Sequence, residues 1–245
     1  MSGRRSSFSR RGLAAFVFAD RSAARPRRLN GELNGKRVEP SRDSRKLLRM
    51  VIAYHAVFSA YGFWLPNEQR GSWSTEVWAA ALKPFGPATK TQERRSLAGR
   101  AYDRGLRAQM RGVLKYPPVR FDAKQIDAIA AGFKDAVSRF DIRLYACAVL
   151  WDHVHIVPAR HRETVEFMAR VMKSAATRRL TSDGLHPLRS YADASGRAPT
   201  PWAEGGWERY LNSREEIIDA VKYVNGNPRK HNLPDQHWDF VRPIG

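Results

Sequence analysis

Hydrophobic and polar positions follow a regular pattern from about Leu47 onward, but not before it. Residues 50–60 mix β-branched and aromatic side chains, which is typical of a strand. Residues 142–150 are almost entirely apolar, which predicts a central strand covered on both faces. Two shorter segments also read as strands, at residues 153–157 and 207–211.

Apolar residues recur at helical spacing in other segments. Asp122 is a good N-cap for a helix to about residue 140, and residues 163–180 predict an amphipathic helix. Ser213 begins a last helix, with Glu216 at the reciprocal capping-box position and a stop at Asn227-Pro228. This order of elements predicts an α+β fold, with helices packed on an antiparallel sheet.

The segment between the first strand and the first of these helices is rich in Gly and Pro. Such breakers predict a long irregular insertion over residues 62–121, with one helix at about residues 91–110. Residues 1–45 read as a flexible basic N-terminal arm. Arg10-Arg11 and the apolar run after it resemble a twin-arginine signal, but the run is short and no convincing cleavage site follows. We expect a single further domain over residues 46–245.

The net charge of the chain indicates which class of ligand it would attract. The 245 residues include 43 basic and 24 acidic side chains, a net charge of +19. A field of this sign attracts polyanions, of which nucleic acid is the commonest, although a basic tail on an ordinary domain is the alternative. The lone cysteine, Cys147, excludes a disulfide framework and favours a reducing, cytoplasmic location, which we expect to be bacterial and nucleoid-associated.

His153 and His155 are the first sign of chemistry. Residues i and i+2 of a strand point to the same face, while Val154 and Ile156 would face the core. Two imidazoles on one rigid strand make half of a metal site, although such a pair can also be purely structural. No Cys or His pair elsewhere has zinc-finger spacing.

Tyr223 and Asn227 are the second sign of chemistry. At i and i+4 of the last helix they would share a non-core face and could place a phenol and an amide oxygen against one ligand. The alternative is a half-buried tyrosine followed by a helix stop. A tyrosine hydroxyl, with a pKa of about 10, is a poor nucleophile until a base or metal assists it. A divalent ion on two histidines and an amide oxygen could polarise a phosphate for that attack.

Three segments resemble the transposases of the HUH superfamily, which are built on a His-hydrophobe-His motif. They are residues 150–157 (LWDHVHIV), the helix with Met172-Lys173-Ser174, and residues 217–228 (IIDAVKYVNGNP). The resemblance is to the single-tyrosine insertion-sequence family and to the REP-associated tyrosine transposases. Residues 61–74 (YGFWLPNEQRGSWS) are similar to a segment that some members carry after the first strand. The match extends from about residue 50 onward, and the middle insertion matches poorly.

The resemblance implies a ferredoxin-like sheet with the histidines on a central strand. His153 and His155 would bind Mg²⁺ or Mn²⁺, and Tyr223 would form a 5'-phosphotyrosine intermediate. Asn227 would be the third metal ligand, where many members have glutamine. Asp152 stands where the family commonly has asparagine, which is a second departure.

The expected function is a metal-dependent single-stranded DNA endonuclease and strand transferase, in transposition or a domesticated derivative. Its partner would be single-stranded or hairpin DNA, and a homodimer is possible in such a family. The alternative is a catalytically silent sequence- or hairpin-specific DNA-binding protein of the same fold; a small-molecule hydrolase fits the charge poorly. The residues expected to border the DNA are basic: Arg170, Lys173, Arg178, Arg179, Lys222, Arg229 and Lys230.

Overall fold

A computed structural model describes residues 51–66, 77, 79–86 and 103–244 of the chain. The predicted basic arm, residues 1–45, lies outside the described residues. So does most of the helix predicted at residues 91–110. The extent of the predicted domain, residues 46–245, stays a prediction.

The four described strands form one antiparallel sheet. They are β1 Ala53–Ser59, β2 Leu144–Val149, β3 His153–Pro158 and β4 Trp207–Leu211, in the order β2-β3-β1-β4. With a long helix, residues 123–140, packed on the sheet between β1 and β2 and another, residues 165–182, between β3 and β4, this is the ferredoxin-like arrangement, and the insertion adds a further helix after β1. The predicted α+β fold is confirmed, and β3, which carries both histidines of the motif, is a central strand.

The described helices also follow the predicted order. They are α1 Arg104–Gly112, α2 Ala123–Phe140, α3 Val165–Ser182, α4 Arg214–Asn225 and the short α5 Asn227–Lys230, with 3₁₀ turns at Ala80–Phe85 and Arg189–Tyr191. Among the residues described, no helix is long and apolar enough to cross a bilayer.

Strand β2 lies at an edge of the sheet, so the prediction of a central strand was wrong. Helices α2 and α4 pack on β2 from the two faces of the sheet and account for its apolar side chains, and the segment 236–242 covers its open edge. The Gln236 side chain donates to the Val149 carbonyl at 2.7 Å and accepts from the Val149 amide at 2.9 Å. The Arg242 amide donates to the Leu144 carbonyl at 2.8 Å. A strand covered in this way can be as apolar as a central one.

Helices α2 and α3 pack together on one face of the sheet. Asp122 and Gln125 form the complete capping box that starts α2. Phe58 of β1 contacts Phe133 of α2, with 5.9 Å between ring centres. The two helices approach so closely at Gly132 that a Cβ there would lie 2.7 Å from the Cα of Ala176. Only glycine fits this crossing.

Helix α4 covers the opposite face. His55 and Phe58 of β1 are three residues apart, so their side chains lie on opposite faces of the sheet. His55 contacts Tyr223 of α4, with 5.7 Å between ring centres. Ser213 caps α4 as predicted, since its hydroxyl accepts from the Glu216 amide at 3.2 Å. The Glu216 carboxylate, however, accepts from the Asn212 amide at 2.6 Å, so the reciprocal bond is displaced by one residue.

The end of α4 differs from the prediction. The helix ends at Asn225, and Gly226 separates it from α5, in which Pro228 occupies the first turn. Asn227-Pro228 therefore begins a helix rather than stopping one, which is a position that proline tolerates because it needs no amide donor.

The described part of the insertion contains α1 and the first 3₁₀ turn. Leu65, Leu82 and Met110 form a small apolar cluster there, separate from the main core. Asp103 caps α1, accepting from the Leu106 amide at 2.8 Å.

Candidate functional site

His153 and His155 lie on one strand and face the same side of the sheet, as predicted. Their ring centres are 5.0 Å apart, with 71° between the ring planes. Val154 and Ile156 point into the opposite core and are fully buried. An ion bound to one nitrogen of each ring at about 2.1 Å would hold the ring centres about 5 Å apart. The spacing of the pair therefore fits a shared ion.

Each of these histidines has a hydrogen-bond partner at Nδ1. His153 Nδ1 lies 2.7 Å from a carboxylate oxygen of Asp152, and His155 Nδ1 lies 3.0 Å from Nε2 of His55. Within residues 51–66 and 103–244, neither Nε2 atom makes a hydrogen bond. A hydrogen-bond partner at Nδ1 is what orients the imidazole of a metal-binding histidine, and it leaves Nε2 as the atom that could bind an ion. Asp152 is this partner for His153.

Burial keeps His55 and His155 uncharged. The side chains of His55, His153 and His155 expose 8%, 7% and 6% of their surface. Burial lowers the pKa of His155 well below its usual range, and the positive charges of neighbouring groups, among them Lys230, lower it further. Burial, with Arg209 adding to it, lowers the pKa of His55 to about 4. Neutral imidazoles are the form that binds metal ions.

Tyr223 lies beside the histidines, as predicted. Its ring centre is 5.7 Å from those of both His55 and His155. The Lys230 ammonium lies 4.5 Å from the centre of the Tyr223 ring. The side chain is 42% exposed, so it forms the rim of a site whose histidines are buried. Tyr210, another exposed tyrosine, packs on Tyr54 instead, with 5.6 Å between ring centres.

Asn227 is buried, which differs from the predicted non-core face. The helix break at Gly226 accounts for this, because it removes Asn227 from the helical register of Tyr223. Only 3% of Asn227 is exposed, and its Nδ2 atom has no hydrogen-bond partner. A buried amide without a partner is costly, and rotating it by half a turn would present the oxygen instead. Asn227 is thus a buried amide with an unpaired nitrogen, and its role as third metal ligand stays a prediction.

The available ligand set is small. Among the described residues no group of three His, Cys, Asp or Glu side chains is arranged to hold an ion. A divalent ion bound to His153 and His155 would therefore need further donors from an amide such as that predicted at Asn227, or from phosphate or water oxygens.

Sequence reasoning missed four neighbours of the pair. His55 bonds to His155; Phe63 stacks on His153 with 5.0 Å between ring centres; His231 lies 5.3 Å from the same ring. Trp207 meets His55 edge-on at 5.3 Å. Phe63 lies in the segment 61–74 quoted above, but the other three stand in no motif, and only the fold brings the four to this site.

The predicted DNA-binding cations do not form one surface. Arg170, Lys173, Arg178 and Arg179 lie on α3, on the sheet face opposite α4, whereas Lys222, Arg229 and Lys230 lie on α4 and α5. Lys173 makes hydrogen bonds within the protein: its ammonium donates to the carbonyls of Ala203 at 3.0 Å and Gly205 at 2.6 Å. Burial lowers the pKa of Lys173 to about 8. Arg179 pairs with Asp183, and Arg229 with Asp235.

Comparison with known proteins gives structural matches alone. No family model and no curated protein sequence matches the chain. One similar solved structure is a REP-associated tyrosine transposase bound to a REP hairpin: 12% identity, TM-score 0.40, covering 77% of this chain and 74% of that one. Another is a candidate transposase from Deinococcus radiodurans R1: 12% identity, TM-score 0.33, covering 78% and 95%. The chain is thus similar to two transposase structures, distantly in both sequence and structure.

Proposed function

We propose that this protein is a metal-dependent single-stranded DNA endonuclease and strand transferase with Tyr223 as its nucleophile. The observation that carries the proposal is the contact between Tyr223 and His155, 5.7 Å between ring centres, beside a second histidine with a free Nε2. A phenol next to oriented imidazoles that can bind a divalent ion is suited to phosphoryl transfer. Transposition, or a cellular role derived from it, is the process we assign.

The metal site would consist of His153 Nε2, His155 Nε2 and the Asn227 amide oxygen. Mg²⁺ or Mn²⁺ held there would neutralise charge on the scissile phosphate and make its phosphorus more electrophilic. Asp152 and His55 orient the two imidazoles through Nδ1, and the burial of both rings excludes competing water.

Tyr223 would attack the scissile phosphorus. The bond from the phenolic oxygen to phosphorus forms, the bond from phosphorus to the 3'-oxygen breaks, and the phenol's proton ends on the released 3'-hydroxyl. The product is a 5'-phosphotyrosine, which a 3'-hydroxyl of another strand can attack to rejoin the DNA. Lys230, over the Tyr223 ring, is placed to balance the phosphate's charge.

The DNA would approach from the α4–α5 side. Tyr223 is exposed there while the histidines are not, and Lys222 and Lys230 are exposed on the same two helices. The cations of α3 lie on the opposite face and are left outside this path.

A cleavage assay tests the proposal. Labelled hairpin-flanked single strands are incubated with the full chain, with and without Mn²⁺, and covalent adducts are counted on denaturing gels. Adducts should form with Mn²⁺ and disappear in Tyr223→Phe, which removes only a hydroxyl, while hairpin binding persists. Tyr210→Phe is the matched control, an exposed tyrosine away from the histidines, and should form adducts normally. Adducts from the Tyr223→Phe protein would show that another nucleophile acts.

The competing function is a DNA-binding protein without catalysis. The burial of three histidine rings favours it, since such a cluster can also serve the fold. In that case the wild-type protein binds hairpins with unchanged affinity in Mn²⁺ and never forms an adduct.

A further inference from the structure

We propose that His55 is a positioning residue that accepts a hydrogen bond from Nδ1 of His155 and so leaves the lone pair of His155 on Nε2. The proposal rests on the proposed function in one respect, since Nε2 is the atom assigned to the metal ion. His55 belongs to no motif, and nothing in the sequence alone connects it with a residue one hundred positions away.

The contact between the two rings is close and enclosed. His55 Nε2 and His155 Nδ1 are 3.0 Å apart, and the rings stack with 5.3 Å between centres and 26° between planes. The sheet sets this contact: Val57 of β1 pairs with His155 of β3, and His55 is the next residue of β1 on the same face. Because both side chains are buried, water cannot substitute for either partner.

The direction of the hydrogen bond decides whether His155 can bind metal. Each ring is neutral and therefore carries one N–H. If His55 donated from Nε2, His155 would carry its proton on the outward nitrogen, which could not bind an ion. If His155 donates from Nδ1, its Nε2 is free.

The neighbouring histidine indicates the second arrangement. His153 Nδ1 faces the Asp152 carboxylate, which accepts, so His153 donates from Nδ1 and Nε2 is its nitrogen available for a lone pair. With His55 as acceptor, both histidines of the motif have the same tautomer and present the same atom. Acceptors at the second nitrogen are the usual companions of metal-binding histidines.

His55 is itself held in place on two further sides. Trp207 meets its ring edge-on at 5.3 Å, and Tyr223 contacts it at 5.7 Å. The residue thus fixes His155 and touches the proposed nucleophile at once, so its loss should disturb the alignment of both.

The tautomer can be read directly by nitrogen NMR. In the metal-free full chain with ¹⁵N-labelled histidine, we expect His155 to be protonated at Nδ1 and unprotonated at Nε2. Protonation of His155 at Nε2 would overturn the proposal. This measurement needs no metal and no DNA, so it decides the inference even if the protein proves to have no catalytic function.

Two substitutions then test the consequence for metal binding, measured by calorimetry with Mn²⁺. His55→Leu removes the acceptor and should weaken Mn²⁺ binding by about 10- to 100-fold, the usual effect of losing such a partner. His55→Gln keeps an acceptor and should recover most of the affinity and the Nδ1–H tautomer. Equal affinities of wild type and His55→Leu, or equal losses in both variants, would contradict a positioning role.

His186 provides the matched control. It is a buried histidine in the loop after α3, with an unpaired Nε2 and no contact with the motif. His186→Leu removes the same buried ring and should leave Mn²⁺ affinity unchanged. If wild type itself binds no Mn²⁺, the proposed function fails while the tautomer result stands separately.

Discussion

At the scale of single residues, the buried amide of Asn227 lowers stability, and the metal-binding role proposed for it would explain why it is there. Its unpaired, buried Nδ2 costs the fold about 1–3 kcal/mol. Asn227→Leu should therefore leave the free energy of unfolding unchanged or higher, while adduct formation falls. Chemical denaturation and the adduct assay measure the two quantities, and Asn225→Leu, an exposed neighbour at the end of α4, is the control. A destabilised variant with full activity would show that the amide serves the fold.

Asp152 allows a graded prediction. Asp152→Asn keeps an oxygen that accepts from His153 Nδ1, so Mn²⁺ affinity should change little. Asp152→Ala removes the acceptor and should reduce the affinity by about 10- to 100-fold. Titration calorimetry of the two variants checks this. Identical behaviour of both would mean that the carboxylate does not orient His153.

At the scale of elements, Lys173 ties α3 to the loop before β4. Its ammonium donates to two carbonyls of that loop, and hydrogen bonds from a charged group contribute about 1.5–3 kcal/mol. Lys173→Met should lower the free energy of unfolding by about that amount, and the folded protein should bind DNA as before. Arg178→Met, exposed on the same helix, should change stability by less than about 0.5 kcal/mol. Weakened DNA binding in a stable Lys173→Met protein would instead support the prediction from sequence that Lys173 borders the DNA.

Helices and strands were easier to predict from the sequence than the contacts between them. The N-cap at Asp122 and the bounds of β4 follow from local pattern, and the structure has both as predicted. The edge position of β2 could not be predicted, because residues 236–242 supply its cover from far along the chain. The same holds for His55, whose contact with His155 exists only when β1 pairs with β3. Local spacing also failed at Asn227, where one residue between two helices changed the face.

At the scale of the whole molecule, the basic residues that the sequence predicts to bind DNA lie on two faces of the described sheet. If DNA approaches from the α4–α5 side, Lys222→Gln with Lys230→Gln should reduce the slope of log affinity against log salt by about 1.4, because each single-strand phosphate that a cation neutralises adds about 0.7 to that slope. Arg170→Gln with Arg178→Gln, an equal loss of charge on α3, should leave the slope unchanged. Fluorescence anisotropy over a salt series measures both. The opposite result would move the DNA path to the other face.

The cover over β2 has a consequence for synthesis on the ribosome. Val149 leaves the ribosome 87 residues before Gln236, its hydrogen-bond partner at the edge. At about 5–20 residues per second this gap lasts about 4–17 seconds. For that time the nascent sheet has an apolar, unpaired border available to any other chain nearby. Chaperone demand and yield should therefore depend on how fast the codons for residues 150–236 are translated.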